Sequence, residues 1–357
     1  MSATTPARQR QPGIELVMPP VAGLLAVAVT AFAGLIVATI LRAVQLTDTS
    51  LWLLGSWLTG GALLGGWRQE VTSTLGPSFG WTVTTVGAPL LLTVLFWIVL
   101  GMVAQRSPTA AVPAALLAGL GAAVGGLALS LTSHTSETVT NSAGAVKTTE
   151  FLPLWWTSGS RPGVVVGAFL LGAVCWFVNA QLRGMWLAVR PYVVGLLIIP
   201  GLVVAVVAGA GLGYLVSNWW AILVIPLLIP MLGVSVLSGA AGAPTSVSLT
   251  RITPEPIGIW SWGDSVLAGL VSVALLVVIS VIVGLLLRRK QRHGEQLIIV
   301  VGVALTSAAI TWSQSVQIEP PNALGAPTQL TVAWWAAAII GALMALVATT
   351  VAGNRGT

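Results

Sequence analysis

From Pro191 to Thr250 the chain runs for 60 residues without a single charged side chain. A soluble domain carries roughly one charged residue in four, so a run of this length has no place on a water-facing surface. It is long enough for more than one membrane segment of about 20 residues. The rest of the chain agrees. Charged residues make up 7% of it and hydrophobic residues 56%, with a mean hydropathy of +0.96. The chain therefore reads as an integral membrane protein. The charge-free run from Leu16 to Leu41 exceeds the apolar core of a signal peptide, about 7–15 residues, and reads as a retained first helix.

Eight segments qualify as spans: 20–42, 82–104, 109–132, 162–182, 192–215, 264–287, 296–316 and 329–351. Two more, 51–66 and 219–237, are ambiguous. The first contains Gly55, Gly60, Gly61, Gly65 and Gly66, and the second Pro226 and Pro230. The basic stretch Arg288–His293 arbitrates, because basic residues beside a helix end face the cytoplasm. With eight spans, ten basic residues (Arg8, Arg10, Arg106, Arg183, Arg190, Arg288, Arg289, Lys290, Arg292 and Arg355) fall inside. Five (Arg42, Arg68, Lys147, Arg161 and Arg251) fall outside. Nine spans with 219–237 crossing would put nine basic residues outside; ten spans restore the tally. The acid-free inner loops at Arg106 and Arg183–Arg190 and the Gly and Pro content favour eight. The charge of +6 is thus explained by topology rather than by nucleic acid.

The expected fold is an all-α polytopic membrane protein of about eight helices in four hairpins. Residues 1–18 form a cytoplasmic tail, 19–190 and 191–352 two four-helix halves, and 353–357 a second cytoplasmic tail, in a plasma membrane. The ambiguous segments follow the first helix of each half, and their offset of 167 residues is close to the 172 of the helices. They read as re-entrant or interfacial broken segments, tolerated only where protein or water buries them. Most of the 16 tryptophans stand where helices meet the interface. The connections "EVTSTLG", "AVKTTEFLPLWW" and "SVSLTRIT" alternate polar and apolar residues, predicting short β-like extracellular loops that form an outer cap.

Chemistry is sparse. His134 and His293 are the only histidines, and Cys175 the only cysteine, so disulfides within the chain and thiol–metal sites are excluded. No helical metal spacing and no phosphate-binding glycine loop is found. The loop acids Glu137, Glu150, Glu255, Asp264 and Glu319 include no pair whose spacing singles it out for catalysis. No ionisable group sits mid-span, as a charge-coupled transporter would require. The most polar internal positions are Asn179, Gln181, Thr306, Ser307, Thr311 and Gln314, expected to hydrogen-bond between helices or to their own backbone. The chain reads as non-enzymatic and without cofactor or metal.

Three stretches, "VQLTDTSLWLLGSWLTGGALLGG", "GWTVTTVGAPLLLTVLFWIVLG" and "SNWWAILVIPLLIPMLGVSVLSGAAGAPTSVSLTRITPEPIGIWSWGD", together resemble the actinobacterial PerM-type family of cell-division-associated membrane proteins. The resemblance implies a plasma-membrane scaffold without catalytic activity that supports the divisome, with single-span division or envelope proteins and membrane lipids as partners. It transfers no binding residue. The alternative is a carrier of a lipid or small apolar molecule, since Gly/Pro-interrupted segments in corresponding places of two halves are a mark of transporters. Asp48, Arg68, Glu70 and Trp81 flank the broken segment and its return helix, and are the expected partner-contact cluster, because exposed charges beside interfacial aromatics give specificity and area. Arg68 pairing locally with Glu70 or Asp48 is the alternative for that cluster.

Overall fold

The structure, a computed structural model, describes residues 12–43, 50–73, 76–86, 90–106, 112–133, 139–140, 145–151, 163–215, 245–247, 266–288, 295–312, 315–319 and 328–353. The expected segment 219–237 and Asp48 lie outside these residues. Helices α1 (Pro12–Ala43) and α2 (Leu51–Ala62) lead into strands β1 (Gly66–Ser73) and β2 (Gly76–Val86). Helices α3 (Leu90–Arg106) and α4 (Val112–Thr132) follow, then β3 (Val139–Thr140) and β4 (Ala145–Phe151). Next come α5 (Val164–Ala180), α6 (Arg183–Val193), a π-helical turn (Val194–Ile198) and α7 (Ile199–Leu215). The chain closes with β5 (Thr245–Val247), α8 (Val266–Leu287), α9 (Gln296–Trp312), β6 (Ser315–Glu319), β7 (Thr328–Val332) and α10 (Trp334–Gly353).

Five helical stretches are long and apolar enough to cross a membrane: Leu16–Ala43, Val112–Thr132, Arg183–Gly211, Leu270–Leu287 and Trp334–Gly353. Three shorter ones, Leu91–Arg106, Val164–Ala180 and Gln296–Trp312, are equally apolar. The packing is that of a protein solvated by lipid. On α1 the buried positions are small (Ala22, Ala26, Thr30, Ala38), while Leu24, Phe32, Ile36 and Ile40 are exposed. On α4 Ala118, Gly119, Ala122, Gly125 and Gly126 are buried, and Leu116, Leu120, Val124 and Leu131 point outward. Small residues inside let backbones approach, and lipid accepts the large ones outside. A Cβ on Gly121 would fall inside contact distance of the Pro20 carbonyl, so α1 and α4 meet backbone to backbone there.

The buried apolar side chains form two clusters. One joins α1–α5, from Ala22 to Trp176. The other joins α6, the π turn, α8, α9 and α10, from Val189 to Ala348. They touch where Trp97 of α3 meets Trp186 of α6, ring centroids 5.4 Å apart and tilted 48°.

Several expected boundaries are corrected. The helix expected over 82–104 begins at Leu90, and residues 82–86 belong to β2. The β-branched run "TVTTV" favours a strand, and Pro89 sits where a helix can start but not continue backwards. Residues 315–316 and 329–332, expected to be helical, lie in β6 and β7. The inner loop expected at Arg183–Arg190 is helix α6, which continues through Pro191. Proline removes one hydrogen bond and displaces a carbonyl, and the π turn directly after it absorbs the mismatch. The tail expected over 1–18 is already helical from Pro12.

The seven strands make one antiparallel sheet in the order β3-β4-β1-β2-β6-β7-β5. The first half contributes β3-β4-β1-β2 and the second β6-β7-β5. A hairpin followed by the strand after the half's first helix thus occurs twice, shifted along the sheet.

Candidate partner-contact surface

The segment that begins at Leu51 is the element under the sheet. Ten of the twelve residues of α2 are buried, and at about 1.5 Å per residue it is roughly 18 Å long, too short for a hydrocarbon core of about 30 Å. Its contacts fix its attitude. At its start, Ser50 Oγ accepts from the Leu53 N–H at 3.4 Å, and Trp52 Nε1 donates to the Thr132 carbonyl, the last residue of α4, at 3.1 Å. At its end, Thr93 Oγ1, in the first turn of α3, donates to the Ala62 carbonyl at 2.8 Å. Both ends of α2 therefore meet sheet-proximal ends of neighbouring helices. In the middle, a Cβ on Gly34 would stand 2.6 Å from Thr59 Oγ1 and 2.8 Å from the Gly55 carbonyl, so α1 carries a glycine where α2 crosses it.

The exit from α2 is a Schellman turn. The Gly65 N–H donates to Gly60 O at 2.9 Å and the Leu64 N–H to Gly61 O at 3.1 Å. The left-handed position, usually glycine's, is held by Leu64 at φ 60°. Glycine is spent instead at position 65, where a side chain would strike Val164 of α5. The chain then enters β1 directly.

Register decides which of the expected contact residues come together. Arg68 stands opposite Thr84 on β2 and Glu150 on β4; Glu70 stands opposite Thr82 and Thr148. Extending across β6 and β7, the rows read Glu150–Arg68–Thr84–Gln317–Gln329 and Thr148–Glu70–Thr82–Glu319. The rows between them read Phe151–Trp67–Thr85–Val316–Leu330 and Thr149–Gln69–Val83–Ile318–Thr328, with Lys147–Val71–Trp81 beyond. Successive positions on a strand belong to opposite faces. One face is thus polar throughout, with Arg68 and Glu70 in it, and the other is largely apolar. Trp81 falls in the apolar set, so the expected cluster is divided: Arg68 and Glu70 share a face and Trp81 belongs to the other. The cross-strand position opposite Arg68 is occupied by Glu150, which lies 82 residues away in sequence. Glu150 and Glu319 were legible only as unassigned loop acids.

Within the bundle the polar side chains pair as lipid demands. Gln105 Nε2 donates to Asn179 Oδ1 at 3.1 Å, tying the ends of α3 and α5. Asn179 Nδ2 donates to the Cys175 carbonyl at 2.9 Å, and Cys175 Sγ to the Trp97 carbonyl at 3.5 Å. Gly101 makes room, since a Cβ there would stand 3.1 Å from the Asn179 amide. Ser307 Oγ crosses from α9 to the Ala337 carbonyl of α10 at 2.9 Å, and Thr306 bonds Gly302 of its own helix at 2.7 Å. Thr311 Oγ1 and the indole N–H groups of Trp97 and Trp176 are buried with no hydrogen-bond partner among the described residues. Gln181 is exposed at the end of α5, and Gln314 lies outside the described residues. No group of three or more His, Cys, Asp or Glu gathers among the described residues. Comparison with protein-family models, with curated proteins and with solved structures finds no match to this chain.

Proposed function

We propose that the chain is a non-enzymatic scaffold of the plasma membrane whose extracytoplasmic sheet holds single-span envelope or division proteins through its polar face. The observation that carries this reading is the single sheet. Its strands come from the α1–α3, α4–α5, α7–α8 and α9–α10 connections. A sheet is one body and lies on one side of a bilayer, so the chain makes an even number of crossings between one contributing connection and the next. Pairs α3 with α4, α5 with α6–α7, and α8 with α9, plus α1 leading in and α10 leading out, support eight crossings. The three 17-residue helices α3, α5 and α9 reach about 25 Å each, and local thinning or interfacial residues cover the remainder.

The ends away from the sheet carry Arg106, Arg183, Arg190 and the Arg288–Arg292 cluster, which supports a cytoplasmic location for that side and for both termini. The sheet then faces outward, where the partners' extracytoplasmic segments are. Its polar face offers three carboxylates, Glu70, Glu150 and Glu319, around one Arg68 in adjoining rows, complementary to a basic segment.

Charge exchange separates partner contact from local pairing. R68E and E150R are each expected to reduce recovery of crosslinked partners from native membranes while protein levels hold, because one exposed cross-strand ion pair contributes only about 0.2–1 kcal/mol. The double variant R68E/E150R restores the local pair but inverts the surface, so it is expected to stay defective. Restored recovery in the double variant, or wild-type recovery in both single variants, would refute the contact surface.

A further inference from the structure

We infer that the outward face of α6 is a binding site for the headgroup of an anionic phospholipid. The inference depends on the membrane location of the chain and not on the scaffold reading. From Arg183 to Leu215 the helix is continuous through the π turn, and Arg183 and Arg190 are its only charged residues. The charge-free part, from Pro191 on, already has the about 20 residues a crossing needs. The segment from Arg183 to Arg190 is therefore surplus to the span and stands in the headgroup layer.

Its two faces are sharply different. Val189, Tyr192 and Val193 are buried, and Trp186 packs between the two halves. The Val189 side chain abuts Gly302, where a Cβ would come within 2.7 Å of it. On the other side Arg183, Leu187 and Arg190 are exposed at positions i, i+4 and i+7, which is one stripe of a helix. Leu187 is 52% exposed and Met185 42%, apolar side chains of the kind that settle at the acyl boundary while arginines beside them reach the phosphates. The Gln105–Asn179 hydrogen bond brings the end of α3, and with it exposed Arg106, to the turn from which α6 starts. None of Arg106, Arg183 and Arg190 makes an ion pair or hydrogen bond with another described residue. Glu295, the acid on this side, acts on Tyr192, which helical spacing puts on the opposite side of α6 from Arg183. The first turn of α6 has no side-chain cap, so its N–H groups add positive potential at the same place. Three guanidinium groups without described acidic partners, flanked by exposed apolar side chains, complement a lipid phosphate carrying net negative charge and not a zwitterion.

The test uses the full chain in detergent micelles, titrated with phosphatidylglycerol or phosphatidylcholine and read by native mass spectrometry as lipid retained per protein. Phosphatidylglycerol is expected to be retained preferentially. R183Q/R190Q is expected to weaken that preference about fivefold for each arginine removed, whereas R68Q, on the sheet, leaves it unchanged. R183K/R190K keeps the charge and is expected to keep the preference; it decides the matter if the glutamine variant does not fold. Equal retention of the two lipids, an unchanged preference in R183Q/R190Q, a lost preference in R183K/R190K, or full displacement by millimolar inorganic phosphate would each overturn the site.

Discussion

Glycine at single positions sets how closely this bundle closes. Gly121 sits against the Pro20 carbonyl and Gly23 against the Ala118 carbonyl, so a methyl group at either must push α1 and α4 apart. Gly211 has nothing within 4 Å of where its Cβ would be. G121A is expected to destabilise the protein by about 1–3 kcal/mol, the usual cost of overpacking. G211A is expected to be neutral or stabilising by up to about 1 kcal/mol, as alanine is the better helix former. Thermal unfolding of both in the same detergent checks this; equal shifts would show that the contact has no energetic consequence. The sequence displayed Gly121 and Gly125 as a four-residue spacing, but spacing alone does not distinguish a glycine pressed on a neighbour from one in open space. Leu64 was equally silent, since its left-handed backbone follows from where Val164 arrives, 100 residues later.

Among the elements, long apolar helices were the most legible, because a run of about 20 residues leaves few alternatives. Strands were legible only as alternating polar and β-branched residues, and their borders were lost where they met apolar helices. β2 runs through "WTVTTV" towards Leu90, and composition alone does not mark that change of period. The short glycine-rich segment was suspected of not crossing, but its attitude depends on the Trp52–Thr132 and Thr93–Ala62 bonds, which join residues 80 and 31 apart. With both ends of α2 at one level, cysteines introduced by S50C and R68C in a C175A background should both react with a membrane-impermeant maleimide from outside intact cells. Labelling of the two from opposite sides would mean that α2 crosses.

At the scale of the molecule, the β2–β6 pairing joins the halves, five residues of each in register. Thr84 and Gln317 face each other there, with about 4.5–5.5 Å expected between Cβ atoms. T84C/Q317C in a C175A background should therefore be closed by a short bifunctional thiol reagent. Trypsin cut within Arg288–Arg292 would then leave the two fragments joined on a denaturing gel. Fragments that separate would show that the sheet is not continuous across the halves. Register of this kind is set by partners hundreds of residues apart, which is why Glu150 opposite Arg68 was out of reach of any local reading. The strand order has a further consequence. Because the second half repeats the first by a shift and not by a rotation, the outer margins of the sheet are unlike one another, as the two ends of a ribbon tile are. Such a tile fits onto its own copy indefinitely, and open-ended stacking rather than a closed ring is its natural form of growth. The described margins are β3, two residues long, and β5, three residues long. Stubs of that length offer too few backbone groups to template another strand, so the same feature that makes the tile extensible is blunted where extension would begin.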